Sequence, residues 1–113
     1  MGKFIRGDIV VVPFPFSDLS LSKRRPALVL VDSQGRDLIL CQITSQNVAD
    51  NMAVAISIND VSDNALKTAS NARPNKLFTA DESIVLYKIG ALKSDKFDKI
   101  IFKIVDMFKP NHT

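Results

Sequence analysis

The sequence predicts a small, mostly antiparallel β-barrel or curled sheet with one C-terminal α-helix. Runs rich in valine, isoleucine and leucine recur with turn residues between them, which is typical of antiparallel strands rather than of alternating strands and helices. Near the C-terminus, apolar residues instead recur every three or four positions, as in an amphipathic helix. The chain has 113 residues, of which 46% are hydrophobic. This is enough for one core, so we expect residues 1–113 to form a single domain.

Six apolar segments are expected to form the strands. The first, residues 8–12, is followed over residues 13–22 by prolines and serines, which favour an exposed loop. The second and third, residues 26–31 and about 37–44, flank a glycine-containing turn and are expected to form a hairpin. The remaining strands are predicted at residues 53–58, 76–79 and 83–89, and each is bounded by polar turn residues.

The predicted C-terminal helix has capping signals at both ends. Ser94 is the expected N-cap, and Asp95 and Asp98 lie near the positive end of the helix dipole. Lys109 and Pro110 supply a basic last turn and a stop. Its apolar face is expected to consist of Phe97, Ile101, Ile104, Val105 and Phe108.

The charge of the chain favours a polyanionic partner. The formal net charge is +3, the sequence pI is about 9.2, and three cations adjoin at Lys23, Arg24 and Arg25. No run approaches the roughly 20 apolar residues that span a bilayer, so we expect a soluble, cytoplasmic protein without a membrane partner. The single cysteine, Cys41, lies in an apolar run and is expected to be buried.

The chemistry open to this chain is limited by its residue types. One cysteine and one histidine, His112, do not supply the ligands of a metal site built on nitrogen or sulfur, and there is no glycine-rich phosphate loop. We therefore expect no metal and no cofactor. The remaining polar residue types suit RNA cleavage, in which a 2′-hydroxyl attacks phosphorus and an arginine stabilises the charge on the phosphoryl oxygens.

Several short blocks resemble the MazF/PemK family of toxin endoribonucleases. They are Gly7-Asp8-Ile9-Val10, the basic segment Lys23-Arg24-Arg25-Pro26 with the apolar run that follows it, Gln42-Ile43-Thr44-Ser45-Gln46, the segment 70–79, and Ile89-Gly90-Ala91-Leu92. The blocks follow the order and spacing of the family, and together they span nearly the whole chain. The resemblance implies an SH3-like barrel that forms a homodimer, binds single-stranded RNA in a groove at the dimer interface, and is blocked there by a cognate antitoxin.

The resemblance also implies roles for particular residues. Arg25 matches the family arginine that acts as an acid or stabilises the transition state, and Thr44 matches a hydroxyl placed against the phosphate. Arg73 coincides with a second arginine that some members use in catalysis. The neighbouring polar residues are expected to contact substrate: Lys23, Arg24, Ser45, Gln46 and Asn75.

Asn75 departs from the family pattern, because some members carry an aspartate there that is thought to act as general base. An amide does not accept a proton usefully. Either another group deprotonates the 2′-hydroxyl, with Asp18, Asp81 and Glu82 as alternatives, or the amide of Asn75 only positions substrate and cutting is slower.

Two other functions are consistent with the sequence. A non-catalytic relative on the same barrel would inhibit growth by binding a protein such as DNA gyrase, since a fold does not by itself determine a function. Alternatively, the chain would be a nucleic-acid-binding module that binds DNA together with its antitoxin as an autoregulator. The departure at Asn75 keeps the first of these open.

Overall fold

The computed structural model describes residues 3–14, 23–32, 35–46 and 50–110. These residues form a single antiparallel sheet in the order β4-β5-β3-β2-β1-β6, which curls into a half-barrel and is followed by one α-helix. The predicted fold class is therefore confirmed. The elements are β1 (Asp8–Phe14), β2 (Lys23–Asp32), β3 (Asp37–Thr44), β4 (Val54–Ile56), β5 (Ser70–Asp81), β6 (Tyr87–Ala91) and α1 (Ser94–Phe108).

The sheet buries apolar side chains on both of its faces, because successive residues of a strand point to opposite sides. One face packs against α1, and we call this cluster the helix-side core. It contains Ile9, Leu28, Leu30, Cys41, Ile43, Ile56, Val61, Leu66, Ala72, Leu92, Ile100 and Ile104. The other face carries a smaller cluster, the second core, which consists of Val10, Val12, Ala27, Val29, Leu38, Leu40 and Ala80.

The helix packs through a narrower stripe than the sequence predicts. Ile100 and Ile104 are buried, whereas Val105 and Phe108 are 50% and 68% exposed, so their predicted place on the packed face is wrong. The N-cap is Lys93 rather than Ser94, which is the first helical residue. No helix among the described residues is long and apolar enough to cross a membrane.

Of the predicted strands, the two nearest the C-terminal helix differ most from the structure. The expected strand at residues 76–79 is the second half of β5, because the polar residues before it also pair with β3 and β4. The expected strand at residues 83–89 begins instead with a 3₁₀ turn at Glu82–Ile84, and pairing with β1 starts only at Tyr87. The side chain of Asp81 caps that turn by accepting a hydrogen bond from the Ser83 N–H at 2.8 Å.

The pair Gly7-Asp8 anchors β1 between its two neighbours. Gly7 has φ +96°, a conformation that favours glycine, and its N–H donates to the Val29 carbonyl at 2.8 Å. The buried carboxylate of Asp8 accepts from the Ile5 N–H at 3.0 Å and pairs with the Lys88 ammonium at 3.1 Å. These contacts give a structural role to Gly7 and Asp8, which begin the first of the sequence blocks that carry the family resemblance.

Replacing Ile100 by alanine is expected to destabilise the fold by about 2–5 kcal/mol, because Ile100 is fully buried in the helix-side core. Urea unfolding followed by circular dichroism measures the change. Phe102 on the same helix is 67% exposed, so the matched variant Phe102→Ala is expected to lie within about 0.5 kcal/mol of the parent. Equal losses in the two variants would contradict the assigned packing face.

Candidate functional site

At one end of the sheet, the face that carries the second core becomes polar. Along β2 the inward positions run from Val29 and Ala27 to Arg25, and along β3 they run from Leu40 to Gln42 and Thr44. Ala27 is paired with Gln42, so the same register places Arg25 opposite Thr44. The polar residues thus continue the apolar stripe to the end of the sheet where β2 begins and β3 ends.

Arg73 joins this surface from β5, where it is paired with Gln42 of β3. Asn71, two residues earlier, is paired with Thr44. Paired residues of an antiparallel ladder share a face. The structure therefore brings Arg25, Thr44 and Arg73, which are far apart in the sequence, onto one face of three adjacent strands.

Arg25 is paired with Val12 of β1 and is half-buried. In the part of the chain that the structure describes, no ion pair neutralises its charge. Lys23, two residues away, lies on the same face and is exposed, whereas Arg24 between them lies on the opposite face. The basic cluster of the sequence is therefore divided between the two sides of the sheet.

Thr44 ends β3 and is 8% exposed. Its Oγ1 accepts a hydrogen bond from the Gln46 N–H at 3.2 Å, a contact that does not use the hydroxyl proton. The Gln46 carbonyl in turn accepts from the Asn71 side-chain amide at 3.4 Å. These contacts hold the start of the segment after β3 against β5.

Ser45 faces a groove on the other side of the sheet. The groove has a volume of about 470 Å³, and its walls include Pro26, Lys67 and Tyr87 as well as Ser45. Because Pro26 and Arg25 are successive residues of β2, the groove and the arginine lie on opposite faces at the same end of the sheet. Ser45 is thereby separated from Thr44, although the two are adjacent in the sequence.

An irregularity in the ladder between β3 and β5 adjoins the arginines. Gln42 is paired with Arg73 but Cys41 with Leu77, so residues 74–76 of β5 have no partner on β3. Pro74, which is fully buried, has no N–H to give to the ladder. From β3, the Cys41 thiol donates a hydrogen bond to the Arg73 carbonyl at 3.2 Å. Such bulges redirect side chains, here those of Arg73 and Asn75.

Asp50 lies against Arg73, with 3.5 Å between Asp50 Oδ2 and Arg73 Nη2. The Met52 N–H, which donates to Asp50 Oδ1 at 2.9 Å, is the main cause that holds the pKa of Asp50 below its ordinary value. Burial opposes this effect, while the Arg73 guanidinium and the Asn75 amide add to it. A carboxylate and a guanidinium therefore meet at the bulge, and the Asn75 amide also favours the ionised carboxylate.

The carboxylates considered from the sequence as bases are not in this cluster. Asp81 is paired with Asp37 at the far end of β3. Asp37 precedes Thr44 by seven residues, which is roughly 20 Å along the strand. The Ser83 hydroxyl and N–H, together with Arg36 at 3.1 Å, hold the pKa of Asp81 at about 2. Glu82 follows it directly, and Asp18 lies outside the described residues. Asp50 was not a sequence candidate, because no spacing links it to Arg73.

A small antiparallel half-barrel with arginine and threonine side chains at one end of its sheet defines a class of compact β proteins suited to an anionic ligand. Residues 5–108 match the family model of PemK-like, MazF-like toxins of type II toxin-antitoxin systems. The chain belongs to that toxin family. A search of curated proteins finds no significant match.

Solved structures of similar fold include toxins from two bacterial sources. An endoribonuclease in complex with its cognate antitoxin, from a mycobacterial species, has a TM-score of 0.75 and 14% identity, with 96% of this chain and 99% of that chain covered. A MazE-MazF structure from Deinococcus radiodurans has a TM-score of 0.74 and 16% identity, with coverage of 92% and 94%. MazF from the same organism has a TM-score of 0.72 and 18% identity, again with coverage of 92% and 94%. At these identities the likeness establishes the fold.

Cys41 is expected to resist thiol reagents in the folded protein. Burial raises the pKa of its thiol to about 12, so almost no thiolate is present at neutral pH. Titration with a chromogenic disulfide reagent at pH 8 should detect no rapid thiol in the native protein and one per chain in denaturant. A rapid native reaction would contradict the packing of Cys41 beneath the bulge.

Proposed function

We propose that this toxin is a metal-independent endoribonuclease that cuts single-stranded RNA in the cytoplasm. It acts as a homodimer that a cognate antitoxin holds inactive. The observation that carries the proposal is the convergence of Arg25, Thr44 and Arg73 on one face of β2, β3 and β5. Similar structures named as an endoribonuclease and as complexes with an antitoxin support it.

The chemistry follows from what these side chains donate. The RNA 2′-hydroxyl loses its proton to solvent as its oxygen attacks the adjacent phosphorus and forms a 2′,3′-cyclic phosphate. The P–O5′ bond breaks, and the departing O5′ takes up a proton from solvent. Negative charge builds on the phosphoryl oxygens while one bond forms and the other breaks. Arg25 stabilises that charge with a planar pair of N–H donors that stays protonated at every physiological pH. Thr44 donates its hydroxyl proton to the same phosphate, and Arg73 supplies a second positive charge.

The groups around this centre hold the RNA chain. Lys23 is exposed on the same face as Arg25 and is suited to a neighbouring phosphate, which supplies affinity rather than sequence selection. Gln46 and Asn75 are exposed polar residues at the rim of the site, and Arg24 and Ser45 extend the contacts to the other side of the sheet. Base contacts from such rim residues would select the cleavage sequence.

Arg25→Ala is expected to reduce cleavage of single-stranded RNA by about 10²–10³-fold in kcat, because a preorganised donor to the phosphoryl oxygens is lost. The assay is performed with chelator, where the parent protein should remain active. Arg6→Ala, which removes an exposed arginine outside the site, should cut as the parent does.

Undiminished cutting by Arg25→Ala would remove this arginine from the reaction. If expression stopped growth while cellular RNA stayed intact and DNA damage rose, gyrase inhibition would replace the nuclease proposal. We expect neither result, because Arg25, Thr44 and Arg73 each offer hydrogen-bond donors to a phosphate.

Thr44→Val is expected to lower kcat by about tenfold, which corresponds to the loss of one hydrogen bond to the phosphate. Thr44→Ser keeps the hydroxyl and should retain most of the activity. Thr79→Val, on the exposed surface of β5, is the matched control and should have no effect. Equal activities of the serine and valine variants would exclude a role for the hydroxyl.

A further inference from the structure

We propose that Asp50 is the carboxylate of this site and acts as the positioning residue for Arg73. The inference rests on the proposed RNA cleavage and adds a residue from a different segment of the chain. The sequence has an asparagine at position 75, where some members of the family it resembles carry an aspartate. In the structure, a carboxylate reaches the same cluster from the segment before β4.

Asp50 is held in place independently of the arginine that it contacts. Its Oδ1 accepts from the Met52 N–H at 2.9 Å, and its own carbonyl accepts from the Ala53 N–H at 3.1 Å. These local hydrogen bonds form a tight turn around the carboxylate. A group held in this way restrains the orientation of its partner at lower entropic cost than a mobile surface carboxylate would.

The ion pair between Asp50 and Arg73 is sheltered from solvent. The two side chains are 14% and 23% exposed, and their closest atoms are 3.5 Å apart. Asp50 Oδ2 and Arg73 Nε are themselves buried, and no well-directed hydrogen bond reaches either atom from the described part of the chain. At 3.5 Å the contact acts by charge more than by a short hydrogen bond, so the guanidinium donors stay available to a phosphate.

Asn75 complements this arrangement. Its side-chain amide interacts with the Asp50 carboxyl and, together with the Met52 N–H and Arg73, favours the ionised form. An aspartate at position 75 would instead bring two like charges together beside one guanidinium, which is unfavourable. The amide at position 75 and the carboxylate at position 50 are therefore a matched pair.

The surroundings of Asp50 favour positioning rather than proton transfer. A general base works best when its pKa is near the working pH, whereas Asp50 is held below its ordinary range by the groups that contact it. Its contacts also direct it towards Arg73. Asp50 thus acts through the orientation of the guanidinium, which contacts the substrate.

A double-mutant cycle with Asp50→Asn, Arg73→Ala and the combined variant tests this role. Asp50→Asn should lower kcat by about tenfold with KM changed less than twofold, because Arg73 acts mainly in the transition state. The same substitution in the Arg73→Ala protein should have no further effect. Asp98→Asn removes an exposed carboxylate on α1 and should match the parent. Additive losses, or a loss confined to KM, would overturn the proposal.

The pH profile separates positioning from base catalysis. Asp50→Asn should keep the shape of the parent profile of kcat/KM at a lower amplitude. Loss of the acidic limb in that variant would mean that Asp50 is the base, and would overturn the positioning role. Asn75→Asp should cut more slowly than the parent because it repels Asp50, and faster cutting would contradict the matched pair.

A spectroscopic readout does not depend on RNA cleavage. The Arg73 Nη–H signals, on the side of the guanidinium that contacts Asp50, should be resolved in the 15N spectrum of the folded parent at low temperature, and should broaden in Asp50→Asn. If the parent failed to cut RNA but this change appeared, the nuclease proposal would fail while the contact stood. An unchanged Arg73 signal in a folded Asp50→Asn protein would overturn the positioning role even if the parent cuts RNA.

Discussion

The interruption of the ladder between β3 and β5 is the constraint on which the candidate site depends. Pro74 has no N–H for pairing, and the register moves from Gln42 with Arg73 to Cys41 with Leu77 across it. Residues 74–76 therefore have no partner on β3, and this bulge places Arg73 and Asn75 near the segment that precedes β4. A regular ladder here would hold these side chains in a uniform pleat.

The energetic cost of the bulge is limited by its surroundings. The Arg73 carbonyl accepts from the Cys41 thiol, and Pro74 is fully buried beside it. On either side, β5 pairs with β3, and its first residues also pair with β4. An unpaired backbone group in a protein interior costs about as much as a lost hydrogen bond. Cys41 reduces this cost because its thiol is a weak hydrogen-bond donor to the Arg73 carbonyl. It thus contributes as a buried packing group and not as a reactive thiol.

Charge at the end of the sheet where β2 begins and β3 ends is distributed unevenly. No ion pair in the described ranges neutralises Arg25, whereas Arg73 is paired with Asp50. An arginine without a carboxylate partner has its full charge available to an anion, while a paired arginine has its orientation restrained. In the proposed reaction this difference suits two roles on one phosphate, with Arg25 as the main donor and Arg73 as a positioned second cation.

The sequence by itself determined the half-barrel, the C-terminal helix, the bounds of β3 and the burial of Cys41, because these depend on local alternation and helical spacing. It also pointed to Arg25, Thr44 and Arg73 through short motifs. The tertiary structure decided that Arg24 and Ser45 lie on the other side of the sheet, since side-chain direction follows register. It also decided that Asp50 joins Arg73 across 23 positions, because strand pairing and a bulge bring them together and no local pattern encodes that contact.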